Sequence, residues 1–200
     1  MILPREFYKR DALTVAKALL GKIVVHETAE GRSAGRIVET EAYVGPEDKA
    51  SHAYQGLRTK RTETQFGEKG HAYIYLIYGL YYCFNVVVGE VSGKPEAVLM
   101  RALEPVEGIQ LMSKRRSAAG GNVVKLANGP GKLCAALGIS NRQNGLDVCV
   151  PPFFIQDGPV VSDEEIETAT RIGVDYADEW KNKPWRFYIR NCSFVSVRNK

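Results

Sequence analysis

The sequence predicts an α+β fold built mostly from antiparallel strands, on three observations. Two segments, 22–28 and 36–43, flank a turn at Glu30-Gly31 and read as a hairpin. Two runs rich in aromatic and β-branched residues, 73–77 and 81–88, flank Gly79, which permits a tight reversal and leaves Tyr78 near its tip. Helical spacing is confined to short segments around these strands. A length of 200 residues argues for one domain, 1–200. A chain of this size exposes roughly 9,400 Å² when folded against roughly 32,000 Å² unfolded, enough burial for a core without disulfide staples.

In chain order, Asp11 can cap a helix whose Leu13, Val15, Ala16, Leu19 and Leu20 share a face, and Gly21 stops it. The first hairpin follows, and Gly45-Pro46-Glu47-Asp48 ends its second strand. From Lys49 to Gly70 the chain is polar, with Arg58, Lys60 and Arg61 close together, and reads as an irregular excursion with a short helical turn. After the second hairpin, 98–103 reads as a strand. Helical spacing over 107–116 ends in Lys114-Arg115-Arg116, where cations complement the helix dipole. Asn128-Gly129-Pro130 opens a helix that reaches Leu137 and stops at Gly138. Segments 147–155, 166–174 and 194–198 read as strands, although Ser162-x-x-Glu165 mimics a capping box just before the second of them.

Composition bounds function only broadly. A hydrophobic fraction of 44% and a charged fraction of 25% exclude long disorder and collagen-like sequence. A net charge of +4 is compatible with a polyanionic partner. The cysteines (Cys83, Cys134, Cys149, Cys192) lie far apart without a C-x-x-C, which argues against a zinc or iron–sulfur site. Free thiols, and charges in the opening MILPREFYKRD where an export signal needs apolar residues, lead to the expectation of a reducing cytoplasm. The most apolar stretch, 72–88, is short for a bilayer and contains tyrosines, a glycine and an asparagine, so it does not read as a membrane helix.

No phosphate loop, dinucleotide fingerprint or G-x-S-x-G is present. What remains is a group of carboxylates and aromatics. Alternation over 38–43 points Glu39, Glu41 and Tyr43 to one face and Val38, Thr40 and Ala42 to the other. That acidic face is either solvated or the floor of a polar cleft, with one carboxylate as general base or electrostatic stabiliser. Tyr78 at a hairpin tip either packs on a neighbouring loop or serves as a wedge in a nucleic-acid stack. Arg101, among apolar neighbours, needs an anion: a carboxylate such as Glu104 or Glu39, or a bound phosphate. Asn85, between Phe84 and Val86, must likewise find partners.

Taken together these residues closely resemble the alkyladenine (3-methyladenine) DNA glycosylase family. The resemblance is carried by an ordered series: LLGK (19–22), GRIVETEAY (35–43), GPED (45–48), SH (51–52), YIYLIYGLY (73–81), CFN (83–85), LMRALEP (99–105), NGPGKLC (128–134), RIG (171–173) and PWRFY (184–188). Single motifs are weak, but the series spans nearly the whole chain. It implies one domain around a curved, mostly antiparallel sheet flanked by helices, with a protruding hairpin.

The same resemblance implies a monofunctional glycosylase that hydrolyses the N-glycosidic bond of alkylated or deaminated purines in duplex DNA after base flipping, in base excision repair. By it, Glu41 matches the glutamate that orients and deprotonates water, and Arg101 the arginine that helps place that water. Tyr43, His52 and Tyr75 match residues enclosing the flipped base, with the His52 main chain also donating to it. Tyr78 matches the tyrosine that fills the vacated duplex, with Gly79, Leu80 and Tyr81 completing a DNA-facing tip. Asn85 matches the asparagine that crowds the 2-amino group of guanine. The implied protein is a monomer without metal or organic cofactor, its partner double-stranded DNA carrying a damaged purine. Segments 53–70 and 113–126 match less tightly, so no phosphate contacts are assigned there. Two other classes compete: a non-catalytic module that binds damaged nucleic acid, and a hydrolase of free nucleosides. The glycosylase reading requires that Glu41 line a pocket roomy enough for an extruded purine, with Tyr78 beside its mouth.

Overall fold

A computed structural model describes residues 1–197. Its backbone is organised by one long strand. β1 (Ile23–Thr28) turns into β2 (Gly31–Tyr43), which pairs antiparallel with β1 along its first half and with β5 (Glu96–Glu107) along most of its length. β3 (Ala72–Ile77) and β4 (Tyr81–Val88) form the second hairpin, with β4 against β5. β6 (Phe153–Gln156) closes the far edge on β1. The order is β3-β4-β5-β2-β1-β6, all antiparallel. β7 (Ile166–Ala169) pairs with β8 (Arg186–Ile189), and β8 joins β2 through Glu39↔Tyr188, Thr40↔Phe187 and Glu41↔Arg186. At residues 39–41, β2 is therefore held on both sides.

Three helices cover one face: α1 (Ala12–Ala18), α2 (Ile109–Arg115) and α3 (Pro130–Leu137). The main core lies between them and the sheet, with Val15, Leu19, Val38, Ala42, Phe84, Met100, Met112 and Leu133 among its fully buried members. Small apolar clusters sit on the opposite face, such as Tyr73, Val87 and Ala97. The accessible surface, 9423 Å², is that expected for a well-packed chain of this size.

The α+β class holds, as do the three helices and both hairpins. Asp11 accepts from the Leu13 and Thr14 amides at 3.0 Å each, and Gly138 closes α3 at φ 67°. The stretch 72–88 forms β3 and β4, and no helix among the described residues is long and apolar enough to cross a membrane. Three strand assignments shrink. Of 147–155 only the end forms a strand and Asp147 makes an isolated bridge to His71, because Pro151 and Pro152 have no N–H to offer a ladder. Of 166–174 the strand stops at Ala169, and the Ser162 capping box opens a single 3₁₀ turn over Asp163–Glu165 before it. No strand forms over 194–197, and Arg198 lies outside the described residues. β8, which the sequence reading did not assign, takes the place beside β2 instead.

Asp11→Ala is expected to lower stability by about 1 kcal/mol, or roughly 2–4 °C in Tm by calorimetry. An unchanged Tm would show that this cap contributes nothing to α1.

Candidate active site

On β2, Glu39 and Glu41 point away from the helices, whereas Thr40 turns its hydroxyl to the Ala16 carbonyl at 2.8 Å and Val38 and Ala42 join the core. The alternation argument holds. The solvated alternative does not, since both carboxylates are 0% exposed. An unpartnered buried carboxylate costs several kcal/mol, so each must collect donors. Glu41 Oε1 accepts from the Ile172 amide at 2.8 Å and stands 3.2 Å from Arg101 Nη1, while Oε2 accepts from the Tyr43 hydroxyl at 2.9 Å. Glu39 accepts from Arg186 Nη1 at 2.8 Å and from the Ser196 amide at 2.7 Å. Arg101 Nε lies 3.6 Å from Glu39 Oε1, an ion-pair distance beyond hydrogen-bond range. Glu104, the other candidate for Arg101, pairs with Arg36.

The register shows how Arg101 reaches both carboxylates. β2 and β5 slip where Ile37↔Leu103 gives way to Glu39↔Ala102 and then Thr40↔Met100. Val38 and Arg101 are thus the unmatched residues of adjoining bulges, a device that re-aims side chains. Burial works against the charge of Arg101, but Glu41 and then Glu39 outweigh it and hold its pKa above the ordinary value. Beside this group, Arg171 grips Asp48 bidentately at 2.5 and 2.9 Å, both side chains fully buried. Three carboxylates are matched by three guanidiniums in one buried layer.

Above the layer opens a cavity of about 760 Å³, within the range of small-ligand sites. Tyr43, His52, Tyr73 and Tyr75 form an aromatic wall, and Asn85, Arg101 and Ile172 also face it. The His52 and Tyr75 rings meet edge to face at 4.6 Å, and Tyr73 and Tyr75 lie 5.3 Å apart. Arg171 stands 4.8 Å from the Tyr43 ring centroid, bracing that ring while its hydroxyl holds Glu41. Asn85 donates to the Tyr73 carbonyl at 3.1 Å. The expectation that Glu41 lines the cavity is not met: its partners Tyr43, Arg101 and Ile172 line it, and the carboxylate sits one side chain behind them because its burial is satisfied by those groups.

His52 is held neutral. Arg61 Nη2 approaches Nε2 at 3.4 Å, and because a guanidinium can only donate, Nε2 is the acceptor and Nδ1–H faces the Tyr73 hydroxyl at 3.0 Å. Burial, then the charge of Arg61, pushes its pKa down to about 4. A ring without charge can share a wall with a cationic ligand.

Tyr78 is 83% exposed and stands at the cavity mouth, so its ring does not pack on a loop. Its φ is 53° and that of Gly79 is 67°, the positive pair of a tight hairpin turn, closed by Leu80 N–H to the Ile77 carbonyl at 3.1 Å. A left-handed tyrosine costs about 1–2 kcal/mol, which the flanking strands must sustain. Leu80 and Tyr81 are exposed beside it. Tyr81 also leans on α3 at Gly131, where a Cβ would fall 2.9 Å from that of Tyr81. Arg61, Arg116 and Lys132 add cations around the mouth. Sequence reasoning missed Asp48, Arg171, Ile172 and Arg186 as site residues, although all four lie in stretches singled out above. A buried-leaning arginine in search of an anion was the available signal.

Residues 6–193 match the methylpurine-DNA glycosylase family. Relatives provisionally named 3-methyladenine DNA glycosylase share 51% identity in Clostridium acetobutylicum (100% of both chains) and 48% in Desulfitobacterium hafniense (98% of both). A third, in Methanocella arvoryzae, is 51% identical over 98% of this chain and 96% of its own. The molecule is thus a DNA glycosylase, a hydrolase of N-glycosyl bonds in base excision repair whose partner is DNA. Within that class the chain belongs to the methylpurine-DNA glycosylase family.

In an NMR titration His52 is expected to stay neutral from pH 7 through pH 5 and to protonate near the value of about 4 that burial and Arg61 impose. Because the folded pKa lies below the unfolded value, stability is lost as pH falls from about 6.5 to about 4, where only the unfolded chain takes up the proton. A midpoint near 6.5 would contradict the buried, neutral assignment.

Proposed function

We propose that the protein excises alkylated and deaminated purines (3-methyladenine, 7-methylguanine, hypoxanthine and ethenoadenine) from duplex DNA, acting as a monomer on a nucleotide rotated into the aromatic cavity. One observation carries the reading: an aromatic-walled cavity with Arg101 in its lining, Glu41 paired with it just behind, and an exposed Tyr78 at its mouth. A stacked base cannot reach a recessed cavity, so the nucleotide must leave the helix and the gap must be filled. Tyr78 is suited to filling it.

The chemistry follows from charge. An alkylated base carrying positive charge gains about 0.5–2 kcal/mol over an aromatic face, and neutral His52 adds no repulsion. Cleavage builds oxocarbenium character on the sugar, which a carboxylate stabilises while activating water. Glu41 has the position for this, with Arg101 beside it to hold the water. Since Glu41 lies behind Tyr43 and Ile172, one of these must yield by roughly a water diameter, about 3 Å, for water to reach Oε1 or Oε2. Asn85 on the floor would crowd the 2-amino group of guanine. A module that only binds would gain nothing from burying these carboxylates, because apolar residues in their place are as stable or more so.

Glu41→Gln is expected to slow base release from a single-lesion duplex by 10²-fold or more, with duplex affinity unchanged within a few-fold. Excision near the wild-type rate would remove Glu41 from the mechanism.

A further inference from the structure

Arg61 lines the cavity, and the reading above gives it no part in handling the nucleotide. Its guanidinium lies 4.8 Å from the Tyr75 ring centroid and 3.4 Å from His52 Nε2. Among the described residues it makes no ion pair, whereas its neighbour Arg58 is paired with Glu63. Arg116 and Lys132 at the mouth likewise make no ion pair among the described residues, but they are held by carbonyl and amide oxygens (Leu126 and Lys125 for Arg116, Asn128 for Lys132) and not by the aromatic wall. Arg61 is thus a cation held by an aromatic face and a neutral imidazole, in the kind of place an alkylated base would take.

We propose that Arg61 is a resident cation of the aromatic box: it occupies the Tyr75 position in the free protein, leaves it for a DNA phosphate when a nucleotide enters, and returns to displace the excised base. The proposal rests on the reading of the cavity as a base pocket. A nucleotide in DNA brings the anion that Arg61 lacks within the protein, so moving Arg61 aside is compensated. A free base brings none and must compete with Arg61 for the aromatic face. The residue thereby separates substrate from product, which a rigid aromatic wall alone would bind alike. A self-occupied pocket weakens apparent affinity by the fraction of time it is open. Occupancy by Arg61 for about 80–90% of the time would weaken free-base binding roughly five- to tenfold.

The test uses Arg61→Ala and Arg61→Lys in the full chain, with free 3-methyladenine as inhibitor of excision from a single-lesion duplex. For Arg61→Ala, the inhibition constant of the free base is expected to fall about five- to tenfold. Duplex affinity is expected to weaken, and the slope of log K against log salt to decrease by about 1. Arg61→Lys, which keeps the charge, is expected to recover the salt slope. An inhibition constant that is unchanged or raised in Arg61→Ala overturns the proposal, as does a salt slope that Arg61→Ala leaves intact or that Arg61→Lys fails to recover. If wild-type protein releases no base from any lesion duplex, the pocket reading and this proposal fall together. If it excises normally and Arg61→Ala fails these criteria, only the role of Arg61 falls.

Discussion

Burial of two carboxylates on a central strand is the constraint from which the rest of the structure follows. Glu39 and Glu41 sit where β2 is hydrogen-bonded to β5 on one side and β8 on the other, so neither backbone can move to release them. The chain satisfies them by bringing groups from distant segments: Arg101 from a bulge in β5, Arg186 from β8, the Ile172 amide from a loop and the Ser196 amide from near the C-terminus. Removing one partner from such a cluster costs about 3–5 kcal/mol, because a charge is left buried and unpaired. The C-terminal segments are therefore held to the sheet by these buried polar contacts as well as by apolar packing of residues such as Phe187, Ile189 and Val195.

That fastening also shapes the cavity. The groups that satisfy Glu41 are themselves its wall, so the carboxylate and the aromatic box are one mechanical unit. Asp48 and Arg171 extend the unit by tying the loop after β2 to the loop after β7 and by backing Tyr43. The result is a pre-positioned carboxylate kept from bulk water by three neighbours, each of which faces the ligand space. Stored charge near a recessed aromatic box suits chemistry on a cationic leaving group, where little proton transfer to the base is needed.

Local rules made the helices and hairpins legible. Asp11, Gly138 and the positive-φ turn at Gly79 act within a few residues, and apolar periodicity sets the covered face. What was not legible depended on distant partners. Residues 170–174 look strand-like, but Arg171 is drawn to Asp48 and the Ile172 amide to Glu41, which takes the backbone out of the ladder. Residues 195–197 are β-branched enough to suggest a strand, yet Ser196 is spent on Glu39. β8 escaped notice because its first residue is an arginine, buried here against Glu39 and the Thr170 and Val197 carbonyls that distant segments bring. The direction of Glu39, Glu41 and Tyr43 could be read from alternation. Their burial could not, and the family resemblance supplied roles that spacing alone left open.

The central claim is that the aromatic cavity receives a purine extruded from a duplex, against the Glu41–Arg101 pair. A crystal structure of the protein on a duplex carrying a single alkylated or ethenoadenine lesion tests it most directly. The expected result is the lesion base enclosed by Tyr43, His52 and Tyr75, with the Tyr78 ring in the vacated stack and its sugar facing Glu41. A lesion still stacked in the helix, or bound on a surface remote from Tyr78, would contradict the account.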